Sequence, residues 1–429
     1  MAGTLQTLLN LTSPVTGIST SPSTNRTFNR SRSISSGNRS SGANVSKSLL
    51  PRKLRGTFVI RNSSCSAQGN DGLNQPAKRL GVSKLLVYAE PLLNFIDINF
   101  LPLALIGGVT LGFANPTLGC LAHNYHVSKI STCGIFIISG LTLRSEEIGA
   151  AAEAWQVGLF GLASILLFTP FFSKIILQLH LQRQEFVTGL ALFSCMPTTL
   201  SSGVALTRLA GGNAALALAM TVLSNLLGIL IVPFSVSKLV AGGVGASVPA
   251  GELCKSLIFT LLIPLILGKA LRESFKGVAD FADGNRKLLS KLNSLLLSLV
   301  PWIQVSRSRS LLLAVDPAVF LVAVIVGMLL HIILLSFNAL SLQMLSAVSG
   351  GSESVFAKKE NASALLLVAS QKTLPVLIAV VEQLGGLFGE SGLLILPCVA
   401  AHLNQIVMDS FFVSLWNKKK QSVSNVKVA

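Results

Sequence analysis

Acidic residues are absent from the first seventy positions of the chain, and the first is Asp71. The same stretch carries nine basic residues, from Arg26 to Arg61, set among Ser, Thr and Asn. Charge is scarce elsewhere too: of 429 residues only 12% are charged, while 51% are hydrophobic. The net charge of +17 therefore divides into +9 in this leader and +8 scattered between apolar runs. That distribution leaves no basic face for nucleic acid. Cysteine is sparse, six in all, with no CxxC or other ligand spacing, so neither a metal site nor a disulfide framework is expected. HExxH, GxSxG, P-loop and dinucleotide fingerprints are all missing. An intramembrane hydrolase would need a Ser/His or paired-Asp constellation. Ser139-Gly140 and His402 imitate one only by chance, so no enzyme and no cofactor is expected.

The acid-free leader lacks a compact apolar core of the secretory kind. A Ser- and Arg-rich, acid-poor segment without amphipathic period is chloroplast transit-peptide composition. We read residues 1–65 as that peptide, with cleavage near Cys65, and 66–90 as a linker. The alternative is a plain disordered tail.

From about residue 91 one apolar run follows another. Spans are expected near 93–113, 127–143, 155–178, 186–209, 213–240, 250–270, 289–305, 316–342, 362–383 and 391–416, followed by a basic tail, 417–429. Ten spans put both termini on one side. That side then holds sixteen flanking Lys and Arg, against seven on the other. The positive-inside rule places both termini in the stroma.

One run organises the rest. Ala362–Val381 is long enough to span, yet its centre reads Ser370-Gln371-Lys372-Thr373, then Pro375. Lys372 lies about 15 Å from either end at 1.5 Å per residue. A charge at that depth costs about 2.5–3.5 kcal/mol on insertion scales, and such residues usually mark function. Pro375 removes a main-chain donor and clashes one turn back. Irregular backbone at this depth must be buried in protein or line a cavity. A kinked helix whose lysine merely pairs with a neighbour is the competing reading. The fourth span carries a similar interruption, Cys195-Met196-Pro197-Thr198-Thr199-Leu200-Ser201-Ser202-Gly203. Both occupy the fourth place in a half of five spans. Five is odd, so the halves have inverted topology. Paired broken helices of this kind point to a transporter's binding site.

These residues resemble the bile acid:sodium symporter family, and within it the branch of solute carrier family 10 member 7. Ile138–Glu147 resembles the end of that family's second helix, and Cys195–Gly203 with Leu206–Asn213 its broken fourth helix. Gln371-Lys372-Thr373 resembles the ninth-helix motif, and His402 with Gln405 the polar pair of the tenth. The resemblance implies an all-α membrane protein of ten transmembrane helices, built as two inverted five-helix repeats. A panel domain (helices 1, 2, 6, 7) would face a core domain (3–5, 8–10) in which broken helices 4 and 9 cross. It also implies a plastid sodium/metabolite cotransporter of the envelope.

By position, Ser202, Thr221 and Gln371 match sodium ligands of the family; their hard oxygens suit a hard cation. A small organic anion is expected beside the crossing, contacted by Ser201, Lys372, Thr373, His402 and Gln405. Asp409, four residues beyond Gln405, is a candidate for coupling, either neutralising Lys372 or moving protons; an interhelical hydrogen-bond cluster is the plainer reading of that group. Two positions depart from the family: Gly203 stands where it has asparagine, and Leu367 where it has glutamate. The readings left open are a sodium-coupled carrier, a proton-coupled or uncoupled carrier using Lys372 in place of a cation, and a regulator of ion homeostasis that carries no solute.

Overall fold

The computed structural model describes residues 95–97, 99–144 and 153–428, with side chains as far as 418. The expected transit peptide, linker and cleavage site, Ser145-Glu146-Glu147 of the second-span motif, and most side chains of the basic tail lie outside the described residues. Among the described residues there is helix and turn, and no strand.

The first apolar run does not stop near 113. Helix α1 (Phe100–Ala114) gives way at Asn115 to α2 (Pro116–Asn124), turning through 102°. The Asn115 side chain accepts from the Thr117 N–H, and Pro116 opens α2. A capping side chain followed by a first-turn proline starts a new helix rather than ending the old one. There follow α3 (Val127–Thr142), α4 (Trp155–Ile176), α5 (Gln184–Ser194), α6 (Ser202–Leu209) and α7 (Ala214–Val244). Then come α8 (Ala250–Ser274), α9 (Lys276–Gly284), α10 (Arg286–Arg307) and α11 (Pro317–Val348). Helices α12 (Lys359–Ser370), α13 (Leu374–Gln383) and α14 (Ser391–Val428) complete the chain.

Among the described residues seven stretches are long and apolar enough to cross a membrane, with α12–α13 counted as one; the bent α1–α2 pair makes eight. Helix α3 is shorter, at 16 residues, and α5–α6 is interrupted. The run expected at 289–305 lies within a 22-residue helix, Arg286–Arg307, that begins earlier, with Arg286 and Lys287 in its first turn.

Close packing relies on small residues. A Cβ on Gly140 would meet Leu265 O at 2.2 Å, and one on Gly268 would meet Ile137 O at 2.2 Å, so α3 and α8 touch backbone to backbone. Helix α10 packs on α1, α2 and α3, and this set forms one layer with α8. The other helices surround α12–α13, whose most apolar 18-residue window is wholly buried. Large apolar side chains such as Leu159, Phe234, Phe259, Leu321 and Phe411 point outward instead. Polar groups inside and apolar ones outside suit a lipid surround.

Candidate functional site

The two interruptions meet. Pro197 and Pro375 each deny a main-chain donor, and the chain is non-helical over Cys195–Ser201 and Gln371–Thr373. The backbone groups released must find partners. Thr373 N–H donates to Pro197 O at 2.9 Å, tying one break to the other. Lys372 N–H donates to Gln405 Oε1 at 3.0 Å, and Lys372 O accepts from Gln405 Nε2 at 2.7 Å. His402 Nδ1 lies 3.2 Å from the same carbonyl. Asn225 Nδ2 donates to Thr198 O at 3.0 Å, and Thr199 Oγ1 accepts from Gly203 N–H, capping α6. The breaks are thus held by side chains of α7 and α14.

Gln371 and Lys372 point into different surroundings. Gln371 Oε1 accepts from the hydroxyls of Thr199 (2.6 Å) and Ser202 (2.7 Å). Its Nε2 donates to Asp409 Oδ2 at 2.6 Å. The other oxygen of Asp409 lies 2.8 Å from His331 Nε2, while His331 Nδ1 lies 3.2 Å from Ser370 O. A neutral imidazole protonated on Nε2 donates to Asp409, and Asp409 thus accepts from both Gln371 and His331. The chain continues from Ser370 Oγ to Asn338 Nδ2 (3.1 Å) and from Asn338 Oδ1 to Ser164 (2.6 Å).

The Lys372 ammonium faces α4. It donates to Ile165 O (3.1 Å), Thr169 Oγ1 (2.6 Å) and Met196 O (2.9 Å). Asp409 does not neutralise it, as it was a candidate to do; its oxygens are taken by Gln371 and His331.

A cavity of about 360 Å³ lies against the crossing. Ser201, Ser202, Thr221, Thr373 and His402 of the expected site residues line it, whereas Gln371, Lys372, Gln405 and Asp409 lie behind its wall. Thr199 and Asn225 add polar groups, and the Asn225 Oδ1 is buried without a partner. Ser139, Thr142, Ser290 and Ser294 face them from α3 and α10, and Arg208 and Arg286 add positive charge. At the other end of the seam between the layers the helices are fastened. Glu382, at the end of α13, accepts from Ser128 of α3 and from Gln304 of α10 (3.2 Å). Glu390 accepts from Ser308 at 3.0 Å, whose hydroxyl also receives the Gly392 N–H. A Cβ on Gly392 would meet Gln304 O at 2.7 Å, so only glycine lets these segments close.

Sequence reasoning missed His331, Asn338, Asn225 and Glu382. The signal for His331 was legible: an ionisable residue inside the apolar run Pro317–Val348.

The chain matches the SBF-like CPA transporter family (DUF4137) over residues 99–418. It is 65% identical over 362 residues to the Arabidopsis thaliana protein named probable sodium/metabolite cotransporter BASS4, chloroplastic, covering 84% of this chain and 81% of that one. The protein of that name from Oryza sativa subsp. indica is 63% identical over 336 residues, covering 78% and 79%. Sodium/bile acid cotransporter 7 of Xenopus tropicalis is 26% identical over 298 residues, covering 69% and 83%. These relatives are named as cotransporters and not as enzymes. With crossed, interrupted spans beside a polar cavity and a match over most of its length, the chain belongs to the SBF-like CPA transporter family, the bile acid:sodium symporter group whose motifs its broken spans resemble.

Proposed function

We propose that the protein is a secondary transporter that moves a small organic anion together with sodium across the chloroplast envelope. The observation that carries this reading is the crossing itself: Gln371 Oε1 gathers the Thr199 and Ser202 hydroxyls at the cavity wall, beside Thr221 and the unpartnered Asn225 Oδ1. Three neutral oxygens gathered on one another, with Thr221 and Asn225 also lining the cavity, suit a hard monovalent cation. Ser201, Thr373 and His402, with the positive charge of Arg208 and Arg286, provide for the anion. The names of the similar plant proteins support sodium, a metabolite and a chloroplast address.

Ten spans in two inverted repeats, with α1–α3, α8 and α10 as panel and the rest as core, are the arrangement this reading uses. The cavity reaches Arg208 and Arg286, on the side given by charge to the stroma, and the far end is shut by Glu382 and Glu390. Transport then alternates between this state and one in which those carboxylates release α3 and α10.

Asp409 supports the recess from behind: its Oδ2 accepts from Gln371 Nε2 at 2.6 Å and so holds Gln371 Oε1 toward Thr199 and Ser202.

Uptake of labelled organic anions into proteoliposomes, under imposed sodium, potassium or proton gradients, tests the proposal. Sodium-driven uptake of at least one anion is expected. Gradient-independent flux, or none for any anion, would overturn it.

A further inference from the structure

Two of the three acceptors around Lys372 are carbonyls at irregularities of the chain, and the third is the Thr169 hydroxyl, which itself donates to Ile165 O at 2.9 Å. Residues Ser164–Phe168 of α4 form a π turn, in which Thr169 N–H bonds Ser164 O. The next residue is Pro170, which has no N–H. Ile165 O is therefore left without a regular main-chain donor. Met196 O lies in the break between α5 and α6, where helical pairing has ceased. Thr169 Oγ1 completes the set. An ammonium has three donors and no acceptor, and these three oxygens, at 2.6–3.1 Å, meet all three. Lys372 is 1% exposed, and no carboxylate is among its partners.

A salt bridge would have placed a carboxylate there. A recess of backbone carbonyls and a hydroxyl, neutral and dry, is instead the donor set that takes a dehydrated monovalent cation. The geometry points to Lys372 as a built-in cation: Ile165 O, Thr169 Oγ1 and Met196 O form a site for an alkali or ammonium ion, which the chain fills permanently with its own side chain. The tether comes from the ninth-span break, and the oxygens come from α4 and the fourth-span break. The ammonium therefore binds three interrupted segments into one body. This site lies apart from the recess at Gln371 and does not depend on sodium being the ion taken there.

If so, shortening the side chain vacates a cation site. In Lys372→Ala, purified in detergent, ammonium, methylammonium or potassium should raise the unfolding midpoint above that in N-methylglucamine at equal ionic strength. A cation at ten times its Kd multiplies the folded-to-unfolded ratio about 11-fold. Wild type should show no such response to ammonium. Lys372→Met, whose thioether fills the space, should be less stable than wild type and should not respond either. Equal midpoints for Lys372→Ala in all four salts would overturn the proposal. So would folded Lys372→Met with no folded Lys372→Ala in any salt, since a vacated cation site would be refilled by potassium. Thr169 supplies a test that leaves the lysine in place. Thr169→Ser keeps the oxygen and should match wild type, whereas Thr169→Val should lower the midpoint. Equal midpoints for those two variants would mean that the hydroxyl is no ligand, and the proposal would fail.

Discussion

The two interrupted spans look alike in sequence and differ in what surrounds them. The fourth breaks over seven residues, Cys195–Ser201, and its last part opens to the cavity: Thr199, Leu200 and Ser201 line it, and Ser201 is exposed. The ninth breaks over three, Gln371–Thr373, all buried, with Gln405, Asp409, Thr199, Ser202 and the α4 oxygens closing on them. One break is mostly a wall facing the cavity, and the other is mostly a fixed strut that aims its neighbours, with Thr373 alone reaching the cavity. A polar residue in a broken span is therefore read by its partners: Ser201 has room for a ligand, whereas Lys372 already has its full complement.

The sharpest way to break this contrast is at Asp409, the partner that sets the Gln371 amide. Asp409→Ala strands Gln371 Nε2 and the facing nitrogen of His331 in a buried site, at about 1–3 kcal/mol for each unsatisfied group. A fall of many degrees in the unfolding midpoint is expected. Asp409→Asn keeps the volume and one acceptor for Gln371 Nε2 but removes the carboxylate behind the recess. It should fold and bind sodium more weakly. Unchanged sodium affinity would mean that Asp409 does not support the sodium site.

Next in size is the fastened end of the seam. Glu382→Ala removes the acceptor for Ser128 and Gln304, worth about 1–3 kcal/mol. Each 1.4 kcal/mol shifts the balance between closed and open states about tenfold. Val305, 1% exposed and beside this contact, reports it as Val305→Cys in a background without native cysteines. Alkylation by a membrane-impermeant maleimide should speed up when Glu382→Ala is added. An unchanged rate would mean that the glutamate is not a latch.

The wall should be more forgiving. Ser201→Ala with Thr373→Ala takes two cavity-facing hydroxyls and leaves the crossing's own bonds intact, because Thr373 joins Pro197 through its backbone N–H. Uptake should weaken up to about tenfold per hydroxyl, at 0.5–1.5 kcal/mol each, with little change in midpoint. Undiminished uptake would take the wall out of the transport path.

The same contrast explains what the sequence could reveal. Lys372 and Pro375, Cys195–Gly203, and the pair His402 and Gln405 were visible because polar residues and proline are conspicuous in apolar runs. The partners of Lys372 were not, because two of the three are backbone carbonyls, which every residue carries. Only Thr169-Pro170 hinted at them. The bend at Asn115 had its signals, a capping asparagine and a following proline, but they sat inside a run read as one span's end. Asn225 and Asn338 looked like ordinary polar residues in long helices; their role depends on contacts across 27 and 32 residues of chain.

The smallest effect is expected far from both breaks, at Asp283 between α8 and α10. It pairs with Arg272 (2.8 Å), Arg144 (2.7 Å) and Arg286 (3.5 Å) near the end of the cavity that Arg286 lines, fastening the end of α3 to α9. Hydrogen bonds from Arg272, then Arg144, hold its carboxyl well below the usual carboxylate range. A carboxyl so depressed in the folded state stabilises the fold above its unfolded pKa, about 3.9, and loses that contribution as pH falls toward the folded value. The group lies at the surface, where water and salt screen it, so the effect is modest. Asp283→Asn should lower the unfolding midpoint slightly at pH 7, less so in molar salt. The gap between variant and wild type should begin to narrow only below about pH 4. A gap already closing between pH 7 and 5 would mean that another group carries the pH dependence.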